Sequence, residues 1–148
     1  MFKHILLPTD GSVWSDKGVK QAIRMAKAIG ANITAVHIIQ SYRPPREEGF
    51  FMPEVAALRG QFENDAAKHA KEILDPVKQA ADKIGVKCNT VVVTADSAYQ
   101  AIIKQAKQSK CDLIMMVSHG RKGIQRLLHG SETASVLTHS KIPVLVLR

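Results

Sequence analysis

The sequence lacks the long apolar runs that mark transmembrane helices and secretory signals. No stretch approaches the ~20 consecutive apolar residues that a membrane-spanning helix requires. A charged residue interrupts residues 1–10 too early for the hydrophobic region of a signal peptide, and their pattern is typical of a β-strand. We therefore expect a cytoplasmic protein without a membrane partner.

Cysteine is scarce, because Cys88 and Cys111 are the only two in the chain. Both lie near the starts of predicted strands and lack the spacing of metal-ligand pairs, which favours two buried thiols. Apart from His119, the histidines show no recognisable metal-ligand spacing with one another or with cysteine. The sequence therefore predicts no metal site.

Three common motifs of nucleotide-binding or catalytic proteins are also absent. The chain has no G-x-x-x-x-G-K-[ST], which excludes a P-loop protein, and no G-x-G-x-x-G after the first strand, which argues against a Rossmann dinucleotide site. It has no G-x-S-x-G nucleophile elbow. His119 is a loop histidine without a visible partner, and such residues are rarely catalytic. No catalytic residue is predicted.

The composition is that of a globular protein. A length of 148 residues predicts a single domain over 1–148, and fractions of 45% hydrophobic and 23% charged residues are ordinary. The formal net charge of +8 favours anionic partners. Because the basic residues are spread over three predicted helices at helical spacing, solvated helix faces are favoured over a nucleic-acid interface.

Apolar or β-branched segments alternate with segments whose apolar residues recur at helical spacing. This alternation predicts an α/β fold with parallel strands, right-handed crossovers and helices on both faces of an open sheet. The run Val91 to Val93 is typical of a strand covered on both faces. Pro76 is expected to kink or break a long helix over 54–84, and Ser97 is expected to cap the next helix. The predicted strands are 2–8, 31–39, 86–94, 113–117 and 142–147.

Polar and glycine-containing segments follow two of these strands. Thr9 to Ser12 follow the first strand. The basic, glycine-containing segment 118–123 follows the fourth strand, and Gly130 and Ser131 lie at the start of the next helix. Ligands in open α/β sheets bind beyond the carboxyl ends of the strands, and glycines and helix N-termini suit phosphate. Each element alone also suits a turn, a helix cap or a solvated loop.

Four segments together resemble the universal stress protein family over essentially the whole chain. They are residues 5–12, 36–38, 118–131 and 142–146. ATP-binding members of that family carry G-x-x-G, nine residues and then G-[ST]. Gly120, Gly130 and Ser131 match this pattern, whereas Val117 replaces its first glycine.

The resemblance implies a doubly wound five-stranded sheet of order 3-2-1-4-5 and an ATP-binding stress-response or regulatory protein, with or without Mg²⁺. We expect a homodimer paired along the C-terminal strand, because that strand is apolar and lies at an edge in the predicted order. The client protein stays unidentified. Dedicated enzyme activity is not expected, although weak ATP hydrolysis remains open. The alternatives are a nucleotide-free interaction module of the same fold and an adenine-nucleotide-dependent transferase. The implied ATP-binding residues are Asp10, Ile38, Met116, Gly120, Gly130 and Ser131.

Overall fold

The computed structural model describes residues 1–41, 52–117 and 130–147. Strands and helices alternate through these residues, as the apolar pattern predicts. The elements are β1 (His4–Pro8), α1 (Val13–Ile29), β2 (Asn32–Gln40), α2 (Met52–Lys83), β3 (Cys88–Ala95), α3 (Ala98–Gln108), β4 (Leu113–Val117), α4 (Gly130–His139) and β5 (Val144–Leu147).

The strands form one parallel sheet in the order β3-β2-β1-β4-β5, which confirms the predicted fold. The chain runs outward from β1 to β3 through α1 and α2. It then crosses back to β4 through α3 and continues to β5 through α4. Right-handed crossovers in opposite directions place the two helix pairs on opposite faces of the sheet. The reversal beside β1 is the position at which ligands bind in such sheets.

Two clusters of buried residues hold the helices to the sheet. The larger cluster joins α1 and α2 to one face and includes Ile5, Ile23 and Leu74. The smaller cluster joins α3 and α4 to the other face and includes Leu6, Ile102 and Val136. Adjacent residues of β1 contribute to opposite clusters because successive strand side chains point to opposite faces.

Glycines end the two helices of the first layer. Gly30 and Gly85 have φ of 69° and 74°, a conformation that is costly for residues with a Cβ. The following residue then donates back into the last turn in each case, from Ala31 N to the Ala26 carbonyl at 2.9 Å and from Val86 N to the Ala81 carbonyl at 3.0 Å. These bonds satisfy carbonyl groups that the helix end would otherwise leave open.

The structure corrects three local expectations. β3 is an edge strand in which Val92 is 45% exposed, so the run around it is not covered on both faces. Helix α2 is not broken at Pro76 but continues through it, with Leu74 and Val77 buried on either side of the proline; the expected kink stays a prediction. β5 begins at Val144 rather than at residue 142, because Pro143 has no N–H to donate to the sheet.

None of the described helices has both the length and the apolar character needed to cross a membrane.

Candidate functional site

A cavity of about 330 Å³ lies over the carboxyl ends of β1 and β2. Helix α2 supplies one wall and helix α3 supplies the other, although these helices cover opposite faces of the sheet. The cavity therefore spans the sheet edge beside the topological reversal, where doubly wound folds bind ligands. Its lining consists of Pro8, Thr9, Asp10, Val36, His37, Ile38, Ile39, Gln40, Ala66, His69, Ala98 and Ile102.

The end of β1 brings Asp10 to this cavity through a tight turn. Thr9 N still donates to the Val36 carbonyl at 3.0 Å, so the chain leaves the sheet only after Thr9. Oδ1 of Asp10 then accepts from Ser12 N at 3.0 Å, a pattern typical of aspartate-containing turns. Asp10 thus holds the turn and also lines the cavity, so the predicted binding role and the turn role are both compatible with its position.

Gly11 is required at the centre of that turn. Its φ is 76°, and a Cβ built there would lie 2.6 Å from Cγ1 of Ile73 on α2. A side chain at this position would therefore meet both backbone strain and a steric clash. The close approach fixes the turn after β1 against α2.

Two histidines that sequence reasoning did not place in the site line the same cavity. His37 Nδ1 donates to the Thr9 carbonyl at 2.9 Å, which fixes the ring tautomer because a carbonyl can only accept. The His69 ring on α2 packs edge-on against the His37 ring, with centroids 6.3 Å apart. A polar residue inside an apolar strand was the available signal for His37, whereas no sequence pattern distinguishes His69 from other exposed helix residues.

The structure separates two of the predicted adenosine contacts. Ile38 lines the cavity directly. Met116, at 1% exposure, lies in the core cluster beneath it with Val36 and Ile102, which do reach the cavity. Its expected ligand contact stays a prediction.

Val117 packs against helix α1. A Cβ built on Gly18, a buried residue of α1, would lie 2.0 Å from Cγ2 and 2.7 Å from Cγ1 of Val117. Along β4 the buried side chains alternate between faces, with Met115 in the α1–α2 cluster and Met116 in the α3–α4 cluster. The side chain that replaces the first motif glycine therefore occupies space left by Gly18, on the face opposite to α3 and α4.

Helix α4 starts at the predicted phosphate motif. Gly130 and Ser131 are its first two residues, whereas Gly120 and the rest of the loop 118–129 lie outside the described residues. The next residue, Glu132, accepts through Oε2 from Tyr99 N in the first turn of α3 at 2.8 Å. Ser97 is the N-cap residue of α3, but its side chain makes no capping bond. Ser97 therefore has the predicted N-cap position but not the predicted capping hydrogen bond. Glu132 accepts from the N–H that a cap side chain would normally bind.

Cys88, Cys111 and Asp112 have shifted pKa values and lie outside this cavity. Burial raises the pKa of the Cys111 thiol to about 11 and also raises the pKa of Cys88. At the opposite edge of the sheet, Asp112 accepts from Lys3 N at 2.8 Å and from His4 N at 2.9 Å. Partial burial opposes ionisation of Asp112, but these hydrogen bonds outweigh it and hold its pKa below the usual value. The lining of the cavity can offer hydrogen bonds and apolar contacts to a ligand.

Fold and site together define a doubly wound α/β protein with a ligand-sized cavity at the carboxyl edge of its sheet. The family model described as "Universal stress protein family" matches residues 1–148. The chain belongs to the universal stress protein family.

Individual relatives agree with this assignment. The universal stress protein MJ0531 of Methanocaldococcus jannaschii is 31% identical over 152 residues, which cover 100% of this chain and 83% of the relative. The solved structure of MJ0577 from the same organism has a TM-score of 0.79 at 27% identity, covering 99% of this chain and 96% of that chain.

Two solved relatives contain nucleotides. A universal stress protein in complex with cAMP has a TM-score of 0.66 at 23% identity and covers 99% of this chain and 97% of that chain. A universal stress protein of Archaeoglobus fulgidus in complex with dAMP has a TM-score of 0.64 at 15% identity and covers 100% of this chain and 98% of that chain. At these identities the likeness shows the fold alone.

Proposed function

We propose that this protein binds ATP, with or without Mg²⁺, as a regulatory member of its family. The observation that carries the proposal is the cavity at the carboxyl ends of β1 and β2, with Asp10 and Ile38 in its lining. Its volume of about 330 Å³ lies within the range of small-molecule sites. Family membership and the cAMP and dAMP complexes of two relatives support a nucleotide as the ligand.

The chemistry of the lining suits a nucleoside. Apolar side chains such as Ile38, Ile39 and Ile102 can cover the faces of a base, while Asp10 and backbone groups offer hydrogen-bond partners to base or ribose. The phosphates would lie toward Gly120, Gly130 and Ser131, where free N–H groups at the start of α4 and the helix dipole favour negative charge. Val117 does not argue against this arrangement because its side chain packs on Gly18.

We also propose that residues 1–148 act as a single nucleotide-binding domain and pair into a homodimer along β5. β5 lies at the edge of the sheet and is apolar throughout. An apolar strand at the edge of a sheet favours pairing with a second copy. A protein that uses ATP as its ligand is expected in the cytoplasm.

Isothermal titration with ATP tests the proposal on the wild-type protein and on Gly130→Asp. Wild type should bind, and Gly130→Asp should lose affinity because it adds a side chain and a negative charge beside the phosphates. Gly60→Asp is a matched control, since Gly60 lies in α2 with no atom within 4 Å of a Cβ built there. Mass spectrometry of the purified protein should find a bound adenine nucleotide.

A folded wild-type protein that binds no adenine nucleotide would support the nucleotide-free interaction module instead. Equal affinity of wild type and a folded Gly130→Asp would place the phosphates elsewhere. Transfer of a phosphoryl or adenylyl group to an acceptor would favour the transferase alternative.

A further inference from the structure

A hydrogen bond joins the two helices that lie over the second face of the sheet. Glu132 Oε2 accepts from Tyr99 N at 2.8 Å, although the two residues are 33 positions apart. Tyr99 is the second residue of α3, and Glu132 is the third residue of α4. The bond therefore connects the N-terminal turns of two separate helices.

Each of these turns has its own relation to the proposed ligand. Helix α3 contributes Ala98 and Ile102 to the cavity wall. Helix α4 begins with Gly130 and Ser131, where the family motif places the phosphates. The Glu132 bond thus spans from the nucleoside half of the proposed site to its phosphate half.

Other contacts also hold α4 in place. Thr133 is 7% exposed in its first turn, and Val136 is fully buried in the smaller core cluster one turn beyond Glu132. The ring contact between Tyr99 and His139, with centroids 5.1 Å apart, connects the same two helices at the far end of α4. Among the described residues of α4, Glu132 directly follows Gly130 and Ser131 and has a polar contact with α3.

We propose that Glu132 is a positioning residue that fixes the first turn of α4 for the nucleotide phosphates. This inference rests on the proposed function of the same site. The N-terminus of α3 favours negative charge. The Glu132 carboxylate is therefore held there as well as by its bond to Tyr99 N. A freed carboxylate in the first turn of α4 would compete with the phosphates. Glu132 thus aligns the first turn of α4, and its bond to α3 keeps its carboxylate from competing with the phosphates.

The first test compares ATP and adenosine affinities in Glu132→Ala, Glu132→Gln and wild type. Glu132→Ala should weaken ATP binding about tenfold, which corresponds to about 1.4 kcal/mol, while adenosine affinity changes by less than about threefold. Glu132→Gln keeps an oxygen that can accept from Tyr99 N, so it should retain ATP affinity or exceed it slightly. A purely structural role would lower thermal stability without changing the ratio of the two affinities.

His139→Ala is the matched control, because it removes the ring contact between α3 and α4. It should leave the ratio of ATP to adenosine affinity unchanged. Equal tightening of ATP binding in Glu132→Ala and Glu132→Gln would overturn the proposal, since Glu132 would then act only as a repulsive charge. An unchanged ratio in Glu132→Ala would also overturn it.

Hydrogen exchange of the nucleotide-free protein separates this inference from the proposed function. Glu132→Ala should speed exchange about tenfold in the first turns of α3 and α4, and Glu132→Gln should not. If wild type bound neither ATP nor adenosine, the proposed function would fail, and the exchange rates would still decide whether Glu132 fixes α4. Wild-type exchange rates in Glu132→Ala would refute the positioning role.

Discussion

Val117 and Gly18 pack against each other, and a double-mutant cycle can measure the coupling free energy between them. Val117 is 6% exposed, so Val117→Gly removes three buried carbons. At about 0.8 kcal/mol per buried carbon, with about 0.5–1 kcal/mol more for glycine in a strand, the loss is about 3 kcal/mol. The melting temperature should fall by roughly 6–12 °C, given about 2–4 °C per kcal/mol for chains of this size.

Gly18→Ala perturbs the same contact from the other side. The new Cβ would lie 2.0 Å from Val117 Cγ2, so one of the two elements must move. Overpacking costs about 1–3 kcal/mol, and the better helix propensity of alanine returns about 1 kcal/mol. We expect a net loss of about 1 kcal/mol. Gly60→Ala is the matched control, because it adds the same methyl to a helix where nothing lies within 4 Å, and it should not destabilise the protein.

The double variant should lose less than the two single variants together. The methyl group that Gly18→Ala introduces would enter the space that Val117→Gly vacates, so the expected loss is about 2 kcal/mol and the coupling is also about 2 kcal/mol. Urea unfolding followed by far-ultraviolet circular dichroism measures all four free energies. Additivity within about 0.5 kcal/mol would refute the reasoning. It would mean that the packing of Val117 does not depend on Gly18. The replacement of the first motif glycine by Val117 would then need another explanation.

Four further outcomes follow from single contacts. Asp10→Ala should weaken ATP binding more than it lowers stability, whereas Asp10→Asn keeps the oxygen that accepts from Ser12 N and should restore stability; loss of stability with unchanged ATP affinity would leave Asp10 as a turn residue only. Sedimentation equilibrium should show a dimer at micromolar concentration because β5 is an apolar edge, and a monomer would contradict pairing there. Cys88 and Cys111 should resist a thiol reagent at neutral pH until the protein is unfolded, because both thiols are buried and their pKa values are raised; rapid labelling of the native protein would contradict this. The pKa of Asp112 is depressed in the folded state, so ionised Asp112 stabilises the fold above its unfolded pKa of about 3.9. This stabilisation is lost as pH falls through the folded pKa. In Asp112→Asn, the free energy of unfolding measured in urea should therefore depend less on pH in that acid range.

The sequence was sufficient for the fold because the relevant signals are local and strong. Strand-length apolar segments alternate with helical periodicity, and residues such as Gly30 and Gly85 mark where helices end. The limits of β4 were predicted to the residue. The strand order came from the family resemblance, since periodicity alone does not determine which parallel strands are neighbours.

The candidate site was predictable only where it follows the ends of strands. Asp10 could be placed at the carboxyl edge because strand direction determines which residues reach it, whereas Ile38 was placed there by the family resemblance. His69 could not be placed, because its contact with His37 depends on how α2 crosses the sheet. The bond from Glu132 to α3 was missed for the same reason, and Ser97 was assigned as a cap because its type and position fitted one.

The unequal cores of the two helix layers have a consequence for native-state fluctuations. Among the described residues, the cluster beneath α1 and α2 contains 16 buried residues, whereas the cluster beneath α3 and α4 contains 8. Because the described part of the second layer has less buried apolar area to expose, we expect it to undergo partial unfolding at lower free energy than the first. A ligand that binds against both α3 and α4 would suppress this opening selectively. Ligand binding would then change how often the α3–α4 layer opens, without changing the average fold.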